Sequence, residues 1–166
     1  MLVVETERLI LRRFELDDAP FILTLLNEPS FLQYIGDKKV RTLEDARQYL
    51  SNGPIASYER NGFGLNLVEL KDSQGPIGMC GLLKREELLE PDIGFAFLPD
   101  FWSKGFAYEA AAAVMNDARE RLKLRRILAI VNPDNYASIK LLERLGMTFE
   151  QMLDQGKTRL YGTSES

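Results

Sequence analysis

Three predicted apolar strands followed directly by a long amphipathic helix constrain the fold more than any other feature of this sequence. The strands are predicted at residues 63–70, 76–83 and 92–98, the helix at 105–122 and a further strand at 126–131. Segment 72–75 (DSQG) has the residues of a hairpin turn, so we expect the first two strands to pair antiparallel. The strand–helix–strand step over 92–131 predicts a parallel crossover. The pattern therefore predicts a mixed sheet with helices on both faces.

Weaker signals place the remaining elements around this sheet. A strand is predicted at 7–14, followed by a helix that Asp17 caps and that ends before Pro29. After a polar loop at 34–41, Thr42 and Asp45 have the spacing of a capping box and begin a second helix. The last elements are predicted as a helix at 137–145 and strands at 148–153 and 158–163. We expect one mixed α/β domain over residues 1–166, with a sheet of six to seven strands.

The composition excludes several classes of function. The chain has no histidine, which is the commonest catalytic base, and its one cysteine, Cys80, argues against a zinc site and excludes an internal disulfide. The N-terminal segment lacks the pattern of a signal peptide, and no apolar run approaches the ~20 residues of a membrane span. The formal net charge of −4 does not favour binding to nucleic acid. We therefore expect a cytoplasmic protein without a metal or a membrane partner.

The turn between the third strand and the long helix has the residues of an anion site. Gly105 and Ala107 leave room for a ligand to approach the backbone, and Lys104 adds a cation beside them. A helix N-terminus presents free N–H groups and a partial positive charge. The alternative is a plain strand-to-helix turn in which glycine serves the backbone geometry alone.

Three separated segments resemble the GNAT superfamily of N-acetyltransferases, and most closely its RimJ/RimL-type branch. They are ETERLILR at 5–12, PDFWSKGFAYEA at 99–110 and NPDNYASIKLLERLGM at 132–147. They follow one another in the expected order and lie on the predicted elements. The resemblance covers most of the chain and implies a GNAT-like, largely antiparallel twisted sheet with one splayed parallel pair.

The resemblance also implies the residues that bind acetyl-CoA. Ala96, Phe97 and Leu98 would form the strand edge that pairs with the pantetheine arm. The pyrophosphate would lie against the backbone of Ser103, Lys104, Gly105, Phe106, Ala107 and Tyr108. Asn135 would bond the pantetheine, although an asparagine there also suits a helix N-cap. Lys140 or Arg144 is a candidate for the adenosine 3′-phosphate, in competition with surface pairing to Glu143 or Asp134.

The catalytic residues are less well defined by the sequence. Ser138 matches the position that reaches the cofactor sulfur in this branch, so it is our candidate acid, with water as the alternative. Many members carry a tyrosine acid where this chain has Leu142. Without histidine the base must be a carboxylate, a tyrosine or a water chain, and Asp92 is the candidate. A backbone N–H near Phe97 or Leu98 is a candidate for stabilising the oxyanion.

Three other side chains near the site receive predictions of their own. Glu90 would share the face of Asp92 if the strand continues through Pro91. Glu109 is interpreted as favourable helix-end electrostatics and not as a base. Cys80 lies in an apolar strand and is expected to be a small core residue and not a nucleophile.

The expected activity is transfer of an acetyl group from acetyl-CoA to a primary amine. The amine would attack the thioester directly in a ternary complex, and it would belong to a small molecule or a protein N-terminus. The rival hypotheses are a coenzyme A-binding domain without catalysis and an unrelated α+β binding module. No pattern in the sequence decides whether the chain forms a homodimer.

Overall fold

Eight strands form one sheet in the computed structural model, which describes residues 1–73 and 75–164. The strands are β1 (Leu2–Glu5), β2 (Leu9–Arg13), β3 (Leu65–Leu70), β4 (Pro76–Leu83), β5 (Asp92–Phe97), β6 (Leu128–Val131), β7 (Thr148–Leu153) and β8 (Thr158–Gly162). Their order across the sheet is β1-β2-β3-β4-β5-β6-β8-β7. Among these neighbours, only β5 and β6 are parallel. The predicted parallel crossover and largely antiparallel sheet are confirmed.

Two groups of helices cover the two faces of the sheet. The helices are α1 (Ala19–Leu26), α2 (Pro29–Tyr34), α3 (Leu43–Leu50), α4 (Ala56–Asn61), α5 (Phe106–Glu120) and α6 (Tyr136–Arg144). Apolar residues of α1, α2 and α3 pack in one cluster with Leu67 and Met79 of the sheet. Those of α5 and α6 pack in the other cluster, which also contains Cys80. Burial raises the pKa of the Cys80 thiol, which fits the prediction of a core residue.

The start of the chain contributes one strand more than expected. Strand β1 pairs with β2 at the edge of the sheet, and its residues are exposed or half-buried. Such a strand has no buried face to give a clear alternation, so the sequence pattern did not reveal it. It brings the sheet to eight strands among the described residues, where six to seven were expected.

The helical region between β2 and β3 differs from the prediction in detail. The capping box at α3 is confirmed, because the Thr42 hydroxyl accepts the Asp45 N–H at 3.0 Å and the Asp45 carboxylate accepts the Thr42 N–H at 3.2 Å. Asp17 does not cap α1, since a short 3₁₀ turn precedes the helix and Asp18 accepts the Glu15 N–H. Pro29 begins α2, where a proline loses no helical hydrogen bond.

The hairpin between β3 and β4 is described only in part. Gln74 of the predicted turn lies outside the described residues, whereas the Leu70 N–H donates to the Gly75 oxygen at 3.0 Å. The two strands pair antiparallel as expected.

The parallel pair separates almost as soon as it forms. Strands β5 and β6 are in register only at Asp92 and Leu128, and the Leu128 N–H donates to the Pro91 oxygen at 2.9 Å. Helix α5 connects the two strands and packs against β4 and β5. The space that opens between β5 and β6 beyond Asp92 is called the strand gap below.

Candidate functional site

Two cavities meet beside the strand gap. The larger has a volume of about 620 Å³ and lies between α2, β5, the start of α5 and the start of α6. The smaller has a volume of about 370 Å³ and extends toward β6 and the α2–α3 loop. Tyr34, Phe95, Asn135 and Ser138 line both cavities. A ligand in one cavity would therefore meet a ligand in the other at these side chains.

Most residues that the resemblance assigned to the cofactor line the larger cavity. They are Ala96, Phe97, Ser103, Gly105, Phe106, Ala107, Tyr108, Asn135 and Ser138. Two assigned residues, Leu98 and Lys104, lie outside its lining. The Leu98 N–H donates to the Ile77 oxygen at 2.9 Å, so it is not free to stabilise an oxyanion. Lys104 carries an exposed side chain.

The backbone of β5 turns alternate polar groups toward the strand gap. The Leu98 N–H donates to β4. Successive residues of an antiparallel strand turn their backbone N–H and C=O groups to opposite sides. The backbone groups of Ala96 therefore also face β4, whereas those of Phe95 and Phe97 face away from it. The Phe97 oxygen accepts the indole N–H of Trp102 at 2.8 Å. The N–H groups of Phe95 and Phe97 and the Phe95 oxygen thus face the gap. Of the three residues that the resemblance assigned to the exposed strand edge, Ala96, Phe97 and Leu98, Phe97 is the one whose backbone is directed away from β4.

The N-terminus of α5 opens into the larger cavity without a side-chain cap. Gly105 occupies the N-cap position with φ +84°, and within residues 1–73 and 75–164 no side-chain hydrogen bond caps this end of the helix. Ser103 also has a positive φ, of 61°. The first intrahelical hydrogen bond runs from the Glu109 N–H to the Gly105 oxygen at 3.0 Å. The N–H groups before Glu109 therefore have no acceptor within the helix. These donors lie at the turn where the sequence predicted an anion site.

Arg8 supports the same turn from the first hairpin of the sheet. Its Nε lies 2.7 Å from Glu109 Oε1, and one terminal nitrogen donates to the Lys104 oxygen at 3.1 Å. Its guanidinium carbon lies 4.3 Å from the centre of the Phe106 ring. Glu109 also accepts a hydrogen bond from the Thr6 hydroxyl. Glu109 thus holds the hairpin against α5, which fits its interpretation as a structural group and not a base.

Helix α6 begins at the junction of the two cavities. The Asn135 side chain accepts the Ser138 N–H at 3.3 Å and so caps the helix. Leu142, at the position where a tyrosine acid occurs in the resembled family, is 1% exposed and lines the smaller cavity. Lys140 and Arg144 line the larger cavity, and the Arg144 guanidinium lies 4.2 Å from the centre of the Tyr108 ring. Neither cation forms a salt bridge within the described part of the chain.

Asp92 lies in the wall of the smaller cavity, at the point where β5 and β6 separate. Its carboxylate is 1% exposed, and both oxygens accept from Arg85 Nε, at 3.1 and 3.2 Å. Burial raises the pKa of Asp92 to about 6, although the charge of Arg85 acts in the opposite direction. Glu90 precedes the strand, which begins at Asp92, and it lines neither cavity. The condition for placing Glu90 beside Asp92 is therefore not met.

Sequence reasoning missed the roles of Arg8 and Arg85, which reach the site from the first hairpin and from the segment before β5. Arg8 lies in the segment at 5–12 that carries the resemblance, but no pattern there connects it with the turn before α5. Tyr34 was predicted to begin the polar loop at 34–41, whereas it ends α2 and lines both cavities.

In the described segments, no helix is long and apolar enough to span a bilayer.

Comparisons with known proteins give the family. Residues 8–148 match the acetyltransferase (GNAT) domain family. The chain is 31% identical over 155 residues to the uncharacterized N-acetyltransferase YoaA of Bacillus subtilis (strain 168), covering 92% of this chain and 86% of YoaA. Its fold is similar to that of an acetyltransferase from Agrobacterium tumefaciens str. C58, with a TM-score of 0.84, 24% identity and coverage of 98% and 94% of the two chains. It is also similar to RimL, the ribosomal L7/L12 alpha-N-protein acetyltransferase, in complex with coenzyme A, with a TM-score of 0.81, 18% identity and coverage of 98% and 97%. The chain belongs to the GNAT acetyltransferase family and is an acyltransferase.

Proposed function

We propose that this protein transfers an acetyl group from acetyl-CoA to a primary amine by direct attack in a ternary complex. The observation that carries the proposal is the meeting of the two cavities at Phe95, Asn135 and Ser138. The larger cavity takes the cofactor, and the smaller one takes the amine. We assign the protein to the RimJ/RimL-type branch on the three sequence segments and on the likeness of its fold to RimL.

The polar groups of the larger cavity match the parts of acetyl-CoA. The uncapped N–H groups of α5 suit a pyrophosphate, since they combine free donors with the positive end of the helix dipole. The free backbone groups of Phe95 and Phe97 suit the amides of the pantetheine arm, which would pair with β5 in the place of a strand. Lys140 and Arg144 are candidates for the adenosine 3′-phosphate. The thioester would then lie near Asn135 and Ser138.

The reaction needs one base and one acid at the junction of the cavities. The amine nitrogen attacks the thioester carbonyl carbon, the C–N bond forms and the C–S bond breaks. Asp92, directly or through water, accepts the proton that the amine loses. Ser138 donates a hydrogen bond to the departing thiolate, or passes it a proton that water returns to the serine. The products are an N-acetylated amine and free coenzyme A.

The first experiment separates catalysis from simple cofactor binding. A thermal-shift titration with acetyl-CoA should stabilise the protein, by about 2.7 kcal/mol at a concentration ~100-fold above Kd. Release of the coenzyme A thiol should then be measured against a panel of amines. Stabilisation without amine-dependent thiol release would favour a coenzyme A-binding domain without catalysis. The absence of both would contradict the proposal in full.

Ser138→Ala should lower kcat by about 10- to 100-fold, because the variant loses a hydrogen bond to a charged leaving group. The Kd of acetyl-CoA should change little. Tyr34 is the second candidate acid, since it also lines both cavities. Rates are to be measured for Ser138→Ala and Tyr34→Phe, with exposed Ser51→Ala as the matched control. A loss of kcat in Tyr34→Phe alone would assign the acid to Tyr34.

A further inference from the structure

The smaller cavity carries an excess of positive charge. Its described lining contains the cationic side chains of Lys38, Arg85 and Lys157 but only one carboxylate, that of Asp92. A cavity built for a polyamine would show the opposite balance, because a cationic ligand is stabilised by anionic walls. The charges therefore bear on which amine the cavity accepts.

Little of this positive charge is neutralised within the described residues. Arg85 donates to the Asp92 carboxylate through Nε only. The terminal nitrogens of Arg85 make no hydrogen bond with this carboxylate. Lys38 and Lys157 form no salt bridge with any described residue. These groups are thus available to a ligand, and the guanidinium presents parallel N–H donors that match a carboxylate.

Two cations of this lining, Lys38 and Arg85, affect each other. Desolvation and the charge of Arg85 both lower the pKa of Lys38. The charge of Arg85 also acts on Tyr49, whose phenol lines the same cavity. Lys38, Arg85 and Tyr49 all line this cavity, in which an anion would relieve the repulsion between the two cations.

We infer that the acceptor is a small primary amine that carries its own carboxylate, as an amino acid does. The carboxylate binds the cluster of Lys38 and Arg85, and the amine points toward Asp92 and Ser138. The rest of the wall is partly apolar, with Leu65, Met79 and Leu83, so it suits an aliphatic or aromatic side chain. This inference rests on the proposed acetyl transfer and names the substrate class for the same site.

The acceptor class is tested with matched pairs of amines. Each free L-amino acid is compared with its carboxamide, which has nearly the same shape but no negative charge. We expect kcat/KM to be roughly tenfold higher, or more, for the carboxylate. Short peptides that differ only by Asp or Asn after the first residue form a second arm. A preference for the Asp peptide over the free amino acids would indicate that the recognised carboxylate belongs to a peptide side chain. That result would overturn the small-molecule assignment.

Variants link the preference to the cavity. Lys38→Met should raise KM for the carboxylate acceptors by about tenfold and leave the carboxamides unchanged. Lys39→Met is the matched control, since Lys39 is the neighbouring exposed lysine and lines neither cavity. The KM for acetyl-CoA should be the same in all three proteins.

Failure of the acceptor assignment can be told apart from failure of the proposed acetyl transfer. Equal rates for carboxylates and carboxamides, or a preference for diamines, would overturn this inference while leaving acetyl transfer intact. If no amine releases coenzyme A from acetyl-CoA, the proposed function itself fails, and the inference fails with it. The two failures are distinguished by whether any acceptor in the panel turns over.

Discussion

Replacing Asp92 by Asn is expected to lower kcat/KM for the acceptor by roughly 10²- to 10⁴-fold, the usual contribution of a general base. The amide keeps the shape of the carboxylate but cannot accept the proton of the amine. The affinity for acetyl-CoA should stay the same, because Asp92 lies in the wall of the smaller cavity only. Steady-state kinetics with a good acceptor, together with a binding titration of acetyl-CoA, measure the two effects separately.

The pH dependence gives the same variant a second readout. Since burial raises the pKa of Asp92 from 3.8 to about 6, the carboxylate is lost as the pH falls through about 6. The wild-type kcat/KM should therefore fall more steeply below this value than protonation of the amine alone explains, and this additional fall should be absent from Asp92→Asn. A raised pKa also means that protonated Asp92 favours the folded state, so its contribution to stability is lost as the pH rises through about 6.

Glu90→Gln is the matched control for this variant. It removes a nearby carboxylate that lines neither cavity, and it should leave both the rate and the pH profile unchanged. An unchanged rate in Asp92→Asn with a good acceptor would remove Asp92 from the mechanism. The base would then be a water chain or a tyrosine.

Gly105→Asp is expected to raise the KM for acetyl-CoA by about 100-fold. The substitution puts a negative charge at the N-terminus of α5, where the proposed pyrophosphate would otherwise meet free N–H groups. The side-chain carboxylate can also cap those N–H groups and so compete with the ligand. An added Cβ would lie 3.2 Å from a terminal nitrogen of Arg8, which would have to shift.

Two control variants isolate the charge from the backbone strain. Gly105→Asn has the same shape without the charge, and Asn tolerates the positive φ of this position as well as Asp does. Gly146→Asp imposes the same strain at φ +89°, in open space away from both cavities. We expect a much larger KM effect from Asp than from Asn at position 105, and none at position 146. Equal KM values for Gly105→Asp and the wild type would contradict the pyrophosphate assignment.

Local signals in the sequence predicted the elements that carry the site. The Thr42 capping box, the Gly105 turn and the Asn135 cap are each determined by residues within a few positions of one another. The order of strands and helices then required a parallel crossover. Such features depend on backbone geometry and short-range hydrogen bonds, which a single sequence shows directly.

The long-range parts of the site could not be predicted in this way. Arg8 and Glu109 are hydrogen-bonded although they lie 101 positions apart in the sequence. No pattern in either segment indicates this contact. Arg85 reaches the smaller cavity from the irregular segment before β5. The resemblance assigned Ala96, Phe97 and Leu98 alike to the exposed edge of β5, because the side to which each backbone turns is fixed by pairing with β4 and not by the apolar pattern alone.

The early separation of β5 and β6 has a consequence for the catalytic cycle. If the pantetheine arm takes the place of the missing strand, substrate and product complete the sheet equally well, since acetyl-CoA and coenzyme A share that arm. This contact then cannot favour acetyl-CoA over free coenzyme A. Turnover would follow the ratio of acetylated to free coenzyme A, and the protein would slow as that ratio falls, without any separate regulatory site.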